Sequence, residues 1–567
     1  MRHRLVGDRP DPAAEARRRA LRHDASVSNA RHAVGPAVTA VAEPAAPSRS
    51  DPVVAAASRL TGGPHGRFAR GRTARWWGPL RVLLMLTVLT SVLGFLAKAP
   101  CRTHSWSDGN DYQYTRLCYT DVYALYFSEH LGSGPQSPTT GEQSRISVPY
   151  RDHPVEYPPV IGGIMWAAAE VTNMVRPDDP QVVGRNLIDK RGLTFFDITA
   201  LLLAGFALVT TWALARLVGR RRIWDVAMFA LAPTLLLHAY TNWDLAAVAL
   251  ATLALWAWSR PWPGLRAPLL AGVFIGLGTA TKLYPALFCL GLLALCWRSG
   301  RLRHWAAMMS TAVVSFVLAY LPAVVLSAQT SPALRRTDFL FPDKSCATAH
   351  YLPGWRWFWQ GNATRPSDWD SLWFQLEHHV GPLDSPACGQ APGWLDFGVG
   401  LATVIVIAAV TLLTLLARRR PRVGQVLFLL VAGFLLVNKV DSPQYVLWLL
   451  PLAVLARPRW PAFLVWQLTE AVLLVARYLF FVNNDAAGAN RGPVGIPINI
   501  FFGTVLIRDV ALAVVMGLVV REVLHPETDV VRRDGVDDPA GGVLDEAPDR
   551  WDDEANVPTG RAAPALS

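Results

Sequence analysis

Charge is scarce in this sequence. Only 17% of its 567 residues are Asp, Glu, Lys or Arg, against roughly a quarter in ordinary soluble domains. The deficit is concentrated in many apolar runs long enough to span or nearly span a bilayer, which points to a polytopic α-helical membrane protein. The runs are continuous and do not alternate with polar residues, which excludes a transmembrane β-barrel. Glycine-rich phosphate loops are lacking: there is neither a Walker loop nor a dinucleotide fingerprint. Clustered His/Cys spacings are lacking too, so no metal and no cofactor are expected. The net charge of +11 does not imply nucleic acid, because the arginines cluster in short loops between apolar runs, where membrane topology explains them.

Cysteine is also sparse, at six residues. Cys289 and Cys296 share one face of an apolar run and read as packing residues. Cys101 and Cys118 lie in a first polar loop, Cys346 and Cys388 in a second. Four loop cysteines allow three pairings; pairing within each loop, Cys101–Cys118 and Cys346–Cys388, is preferred if both loops face an oxidising space.

Residues 1–75 are rich in Ala, Arg and Pro without apolar period and read as a disordered basic cytoplasmic tail. About 80 residues precede the first apolar run, so a secretory signal is not expected. Residues 76–524 form the membrane domain. Arg67, Arg70, Arg72, Arg75 and Arg81 place the start of the first helix inside by the positive-inside rule. The polar loop that follows is then outside. The apolar stretch after Tyr157-Pro158-Pro159 is read as a juxtamembrane helix that stays outside. With that assumption the clusters at Arg220–Arg222, Arg260 with Arg266, Arg298 with Arg301 and Arg303, Arg418–Arg422, and Arg457 with Arg459 all fall inside. The count is about twelve crossings, with two large outer loops at residues 101–192 and 327–394. The second is dense in Trp, which suits an interfacial belt or a sugar-stacking surface. Residues 525–567, acidic and rich in Pro and Gly, read as a second disordered cytoplasmic tail.

Three basic-bounded segments become hairpins with outward tips: His238, Tyr240, Asn242 and Asp244; Lys282-Leu283-Tyr284-Pro285; and Asn438-Lys439-Val440-Asp441-Ser442-Pro443-Gln444-Tyr445. Some arms run only about 14 residues, short of a ~30 Å hydrocarbon core at 1.5 Å per residue. The tips are therefore recessed and line a cavity. A charge at such depth costs roughly 2.5–3.5 kcal/mol on insertion scales and needs a partner or a ligand.

Asp121, Tyr123, Asp152, His153, Glu156, Asp244, Lys282, Lys439 and Asp441 all fall on this outer side. The pattern suits a lipid-phosphate donor, with lysines offsetting phosphate charge and a carboxylate taking a proton from an acceptor hydroxyl. Asp121 is the first choice for that base, with Asp108, Asp111 and Asp152 as competitors. Asp121 as a helix N-cap, Lys282 as a snorkelling lysine, Lys439 and Asp441 as a mutual pair, and His153 as a surface histidine are the structural alternatives.

Thr120-Asp121-Val122-Tyr123 early in the first outer loop, followed by a Tyr-Pro-Pro helix kept outside, resembles the GT-C superfamily of polyprenyl-phosphate-sugar glycosyltransferases. Asn242-Trp243-Asp244-Leu245, Gly276-Leu277-Gly278-Thr279-Ala280-Thr281-Lys282-Leu283-Tyr284-Pro285 and Ser442-Pro443-Gln444-Tyr445 resemble glycosyltransferase family 87, whose members include actinobacterial mannosyltransferases. The resemblance spans about Asp121 to Leu455, and Glu156 stands where many members carry a hydrophobic residue. It implies a GT-C-like all-α bundle and inverting transfer without a metal. The sugar would be mannose first, arabinofuranose or another hexose next. It would pass from a polyprenyl-phosphate donor to an envelope glycolipid or glycan at the outer face of the cytoplasmic membrane. Asp121 would be catalytic, and Tyr123, Asp152, Tyr157, Asn242, Asp244, Lys282, Tyr284, Lys439, Asp441, Gln444 and Tyr445 would bind substrate. A transporter or flippase of a lipid-linked or anionic solute is the competing class, since it also needs buried charge in broken helices; a non-catalytic scaffold of envelope assembly is the third.

Overall fold

The computed structural model describes residues 51–60, 77–103, 112–129, 131–132, 147–153, 155–176, 185–328, 354–383, 393–488, 494–533, 535 and 537–549. Every described residue lies within Ala46–Ser567. Among them there is no β-strand. Most of the basic N-terminal tail lies outside the described residues; within it, Pro52–Leu60 is a helix capped by Asp51, which accepts from Val53 and reaches Trp460 N–H at 2.9 Å.

The main helices are α1 (Pro79–Leu96), α2 (Asp121–Ser128), α3 (Pro159–Val175), α4 (Arg185–Val218), α5 (Pro233–His238), α6 (Asp244–Trp258), α7 (Arg266–Thr279), α8 (Ala286–Arg298), α9 (Leu302–Ala328), α10 (Leu372–Val380), α11 (Trp394–Leu416), α12 (Val423–Val437), α13 (Val446–Ala456), α14 (Trp460–Gly488) and α15 (Ile498–Leu524). Among the described residues six are long and apolar enough to cross a bilayer: α1, α4, α9, α11, α14 and α15. The expectation of about twelve crossings is therefore not met by length. The hairpin arms α6, α7, α8, α12 and α13 are apolar but have 11–15 residues. At 1.5 Å per residue that is about 16–22 Å, short of a ~30 Å core. The protein is a multi-pass membrane protein.

Apolar distribution explains the arrangement. The helices α6, α12 and α13 are hydrophobic on every face and bury almost every residue, so they occupy the interior. In α9 and α11 only 17% and 11% of the apolar stretch is buried, leaving surfaces of Leu and Val for lipid. Helices α7 and α9 approach closely because Gly272 and Gly276 have no side chain there: a Cβ would come within 2.1 Å of Met308 O and 2.3 Å of Ala312 O. Small residues four apart are a standard device for tight helix contact in a bilayer.

The bundle has two chemically distinct ends. At one end the arginine clusters meet residues 525–549, which are folded here and not the disordered tail expected from their composition. Asp529 holds Arg422 through two bonds of 2.7 and 3.0 Å, and Asp549 holds Arg298 at 2.6 and 2.7 Å. Val530 O accepts from Arg222, Thr528 O from Arg459, and Leu544 O and Ala547 O from Arg420. Gly541 O accepts from Trp258 at 2.8 Å. Gly542 next to it has φ +58° and a Cβ would meet Trp258 O at 2.1 Å, so only glycine fits that step. Composition misled because it ignores charge complementarity: these acids are paired with buried arginines rather than solvated. The other end of the bundle gathers the three hairpin tips.

Candidate active site

Asp121 is fixed by its own stretch of sequence. Cys118 is bonded to Cys101, with Cα atoms 5.8 Å apart, which anchors the loop to the end of α1. Thr120 is the N-cap of α2: its Oγ1 accepts from Val122 N–H and donates to Tyr240 O at 2.6 Å. The Asp121 N–H donates to Thr241 O at 2.8 Å. The first hairpin tip and the first loop are thus joined at the backbone on either side of the carboxylate. Asp121 Oδ1 accepts from the Tyr119 hydroxyl at 2.6 Å and Oδ2 from Asn242 Nδ2 at 2.7 Å. Two bonds leave further lone pairs on a carboxylate, and the side chain is half-buried against a cavity.

Two neighbours register that charge. The carboxylate beside Tyr119, with burial second, holds its phenol well above the usual range. Lys98 is buried and donates to Tyr119 O at 2.6 Å; burial pushes it down to about 8, against the opposing pull of Asp121.

Asn242 was expected to bind substrate, but its amide hydrogens go to Asp121 and, at 2.7 Å, to the Tyr157 hydroxyl, while its Oδ1 accepts from Trp243 N–H. It positions the carboxylate. Tyr157 in turn faces Lys282, whose Nζ lies 4.8 Å from that ring and 5.4 Å from the Tyr445 ring. Behind Lys282 stands Asp244, fully buried at the start of α6, with Oδ1 at 3.6 Å from Nζ and 2.8 Å from Trp448 Nε1. Tyr445 and Tyr284 both stack on the Trp448 indole, at 4.1 and 4.5 Å. Aromatic faces around an ammonium stabilise it without spending its donors.

A cavity of about 710 Å³ joins these groups; Asp121, Tyr157, Asn242, Lys282, Tyr284, Lys439, Gln444 and Tyr445 line it. Asp244 supports Lys282 from behind. Three of the expected binding residues stand apart. Tyr123 lies two residues beyond Asp121, about 200° round a helix, and packs on Phe127 and Gly192. Asp152 closes its own turn, bonded to Val148 N–H and Arg151 at 2.8 Å. Asp441 is held by Arg508 at 2.7 Å, and Lys439 pairs with Asp396 at 2.5 Å, so these two do not pair with each other. His153 is buried rather than superficial: its Nδ1 lies 2.6 Å from Ser147 Oγ and its Nε2 3.8 Å from Glu129. Cys346–Cys388 lies outside the described residues.

The cavity also holds groups the sequence reading passed over: Tyr119, Arg365, Asp368 and Arg477. Arg365 pairs with Glu156 at 3.0 Å, and Arg477 with Asp370 at 2.7 Å. Arg477 had a usable signal, since a lone arginine inside an apolar run marks a functional position by default. Arg365 and Asp368 had none beyond their Trp-rich loop. Among the described residues no group of three His, Cys, Asp or Glu is placed to hold a metal ion.

The family model of Glycosyltransferase family 87 matches residues 191–438. Over that segment the chain is similar to glycosyltransferase family 87. The family 87 segment contains Asn242, Asp244, Lys282 and Tyr284; Asp121 and Tyr157 precede it, and Lys439 to Tyr445 follow it. A solved structure, ArnT from Cupriavidus metallidurans bound to undecaprenyl phosphate, aligns at 12% identity over 78% of this chain and 77% of that one, with a TM-score of 0.35. No curated protein matches the chain.

Proposed function

We propose that the protein transfers a sugar from a polyprenyl-phosphate donor to a glycolipid or glycan acceptor at the outer face of the cytoplasmic membrane. Mannose is the first choice of sugar; arabinofuranose or another hexose is next. The observation that carries this reading is the contact series Asp121, Asn242, Tyr157, Lys282 along one cavity wall. It sets a carboxylate and an ammonium on the same chamber with two side chains between them. The Cys101–Cys118 bond next to Asp121 supports the outer side, because such bonds persist in oxidising spaces.

In the reaction the acceptor hydroxyl gives its proton to the Asp121 carboxylate, and its oxygen forms the new bond to the anomeric carbon. The anomeric C–O bond to phosphate breaks with its electron pair, and polyprenyl phosphate leaves with Lys282 offsetting its charge. Attack opposite the leaving phosphate inverts the anomeric centre. Tyr119 and Asn242 hold Asp121 in orientation, and Tyr157 and Tyr445 hold Lys282. Incubation of the purified protein with a panel of polyprenyl-phosphate sugars tests the proposal. Release of polyprenyl phosphate from one donor supports it; no release from any donor with any acceptor class rejects it.

A further inference from the structure

Three polar side-chain atoms on one turn of this site have no hydrogen-bond partner: Nδ1 and Nε2 of His238 and Oγ1 of Thr241. Both residues line the cavity, at 1% and 4% exposure. Buried polar atoms are almost always paired, and one left unpaired costs its full desolvation. A histidine with both nitrogens unmet therefore marks a ligand contact on a cavity wall more readily than a packing residue.

The turn is tied to Asp121 through the backbone. Thr241 N–H donates to His238 O at 3.1 Å, and Thr241 O accepts from Asp121 N–H at 2.8 Å. The contacts thus run in order from Lys282 through Tyr157 and Asn242 to Asp121, and on through Thr241 to His238. In this series of contacts Lys282 comes first and His238 last, and Asp121 stands between them, meeting Asn242 through its carboxylate and Thr241 through its backbone N–H. The phosphate belongs at the lysine end. At the other end the offered groups are a neutral imidazole, with one donor and one acceptor, and a hydroxyl that does both. Alternating donors and acceptors match neighbouring hydroxyls on a sugar ring. They do not match an apolar group, which leaves all three atoms unmet.

We propose that His238 and Thr241 bind ring hydroxyls of the acceptor sugar, flanking the hydroxyl that Asp121 deprotonates. The inference rests on the glycosyl-transfer reading above. It makes the acceptor a glycoside with free hydroxyls beside the attacking one, not a simple lipid alcohol.

The test is steady-state transfer by the full-length protein, with donor and acceptor varied separately. Octyl hexosides and octyl pentosides serve as acceptors, together with their mono-deoxy analogues. For His238→Phe and Thr241→Val the acceptor KM rises roughly tenfold or more, since a site built to bond a hydroxyl discriminates strongly against its absence, and the donor KM stays put. The wild type rejects at least one deoxy analogue that His238→Phe accepts as well as the parent. His238→Gln, which keeps a donor and an acceptor, restores much of the acceptor affinity and guards against a packing defect. An unchanged acceptor KM in folded His238→Phe, or a rise in donor KM alone, overturns the assignment. Failure of the wild type to transfer at all would instead remove the glycosyl-transfer reading beneath it.

Discussion

Lys282 is tied to a buried carboxylate behind it and open to the cavity in front. Lys282→Ala therefore does two things. It removes the cation that meets the donor phosphate, so the donor KM rises, and kcat falls too if the charge on the departing phosphate is stabilised more than in the ground state. It also strands Asp244, which is fully buried; breaking a buried pair by removing one partner costs about 3–5 kcal/mol. Kinetics and thermal unfolding of the same variant separate the two effects, and a variant with unchanged donor KM would exclude Lys282 from the phosphate site. Glu129 gives a pH signature away from the chamber. Burial pushes its carboxyl up to about 8 from the ordinary 4.5. The folded protein keeps a proton there that the unfolded chain has lost, so this contribution is complete below about pH 4.5 and disappears as the pH rises through about 8. Glu129→Gln removes that decline, and melting temperatures of the two proteins at pH 5, 7 and 8.5 show it as a widening gap in favour of the variant. At this scale the sequence displayed which residues were charged but not which partners they had. Asp396 and Arg508 look like ordinary charges at the start of one apolar helix and inside another, yet they fix Lys439 and Asp441.

Short arms made the hairpins legible as elements. A run of about 14 apolar residues between an arginine cluster and a charged tip is too short to cross, and the structure keeps α6, α7, α8 and α12 at 13–15 residues. The C-terminal segment was not legible, because a low-apolar acidic stretch carries the composition of disorder. Its order comes from Arg222, Arg298, Arg420, Arg422 and Arg459, brought to it from four separate loops. Asp529 is the centre of that contact: it is fully buried and bonds Arg422 twice and Gln425 at 3.2 Å. Asp529→Ala leaves Arg422 buried without its counter-ion, a loss of about 3–5 kcal/mol. We expect a clear fall in melting temperature, while donor and acceptor KM in the surviving folded protein stay near wild type because the segment lies at the end opposite Asp121. A variant as stable as wild type would show that the segment is not part of the folded unit.

For the whole molecule, we propose that the arginine end and the tip end lie on opposite sides of the membrane. Single cysteines at Arg221 and Arg151 are expected to label from opposite faces in sealed vesicles, with position 151 on the outer side; labelling from the same face would dissolve the topology. The central claim is that the tip end assembles a base and a phosphate cation on one chamber. The most direct measurement compares wild type and Asp121→Asn in release of polyprenyl phosphate from a sugar-charged donor, with thermal unfolding to verify that both are folded. Asparagine keeps the size of the side chain, its amide oxygen accepts from Asn242 and its amide nitrogen donates to the Tyr119 hydroxyl oxygen, but it cannot take the proton. Loss of a general base lowers turnover by about 10²- to 10⁴-fold, and that loss with an intact fold is the predicted result. A folded Asp121→Asn protein turning over at close to the wild-type rate would contradict it.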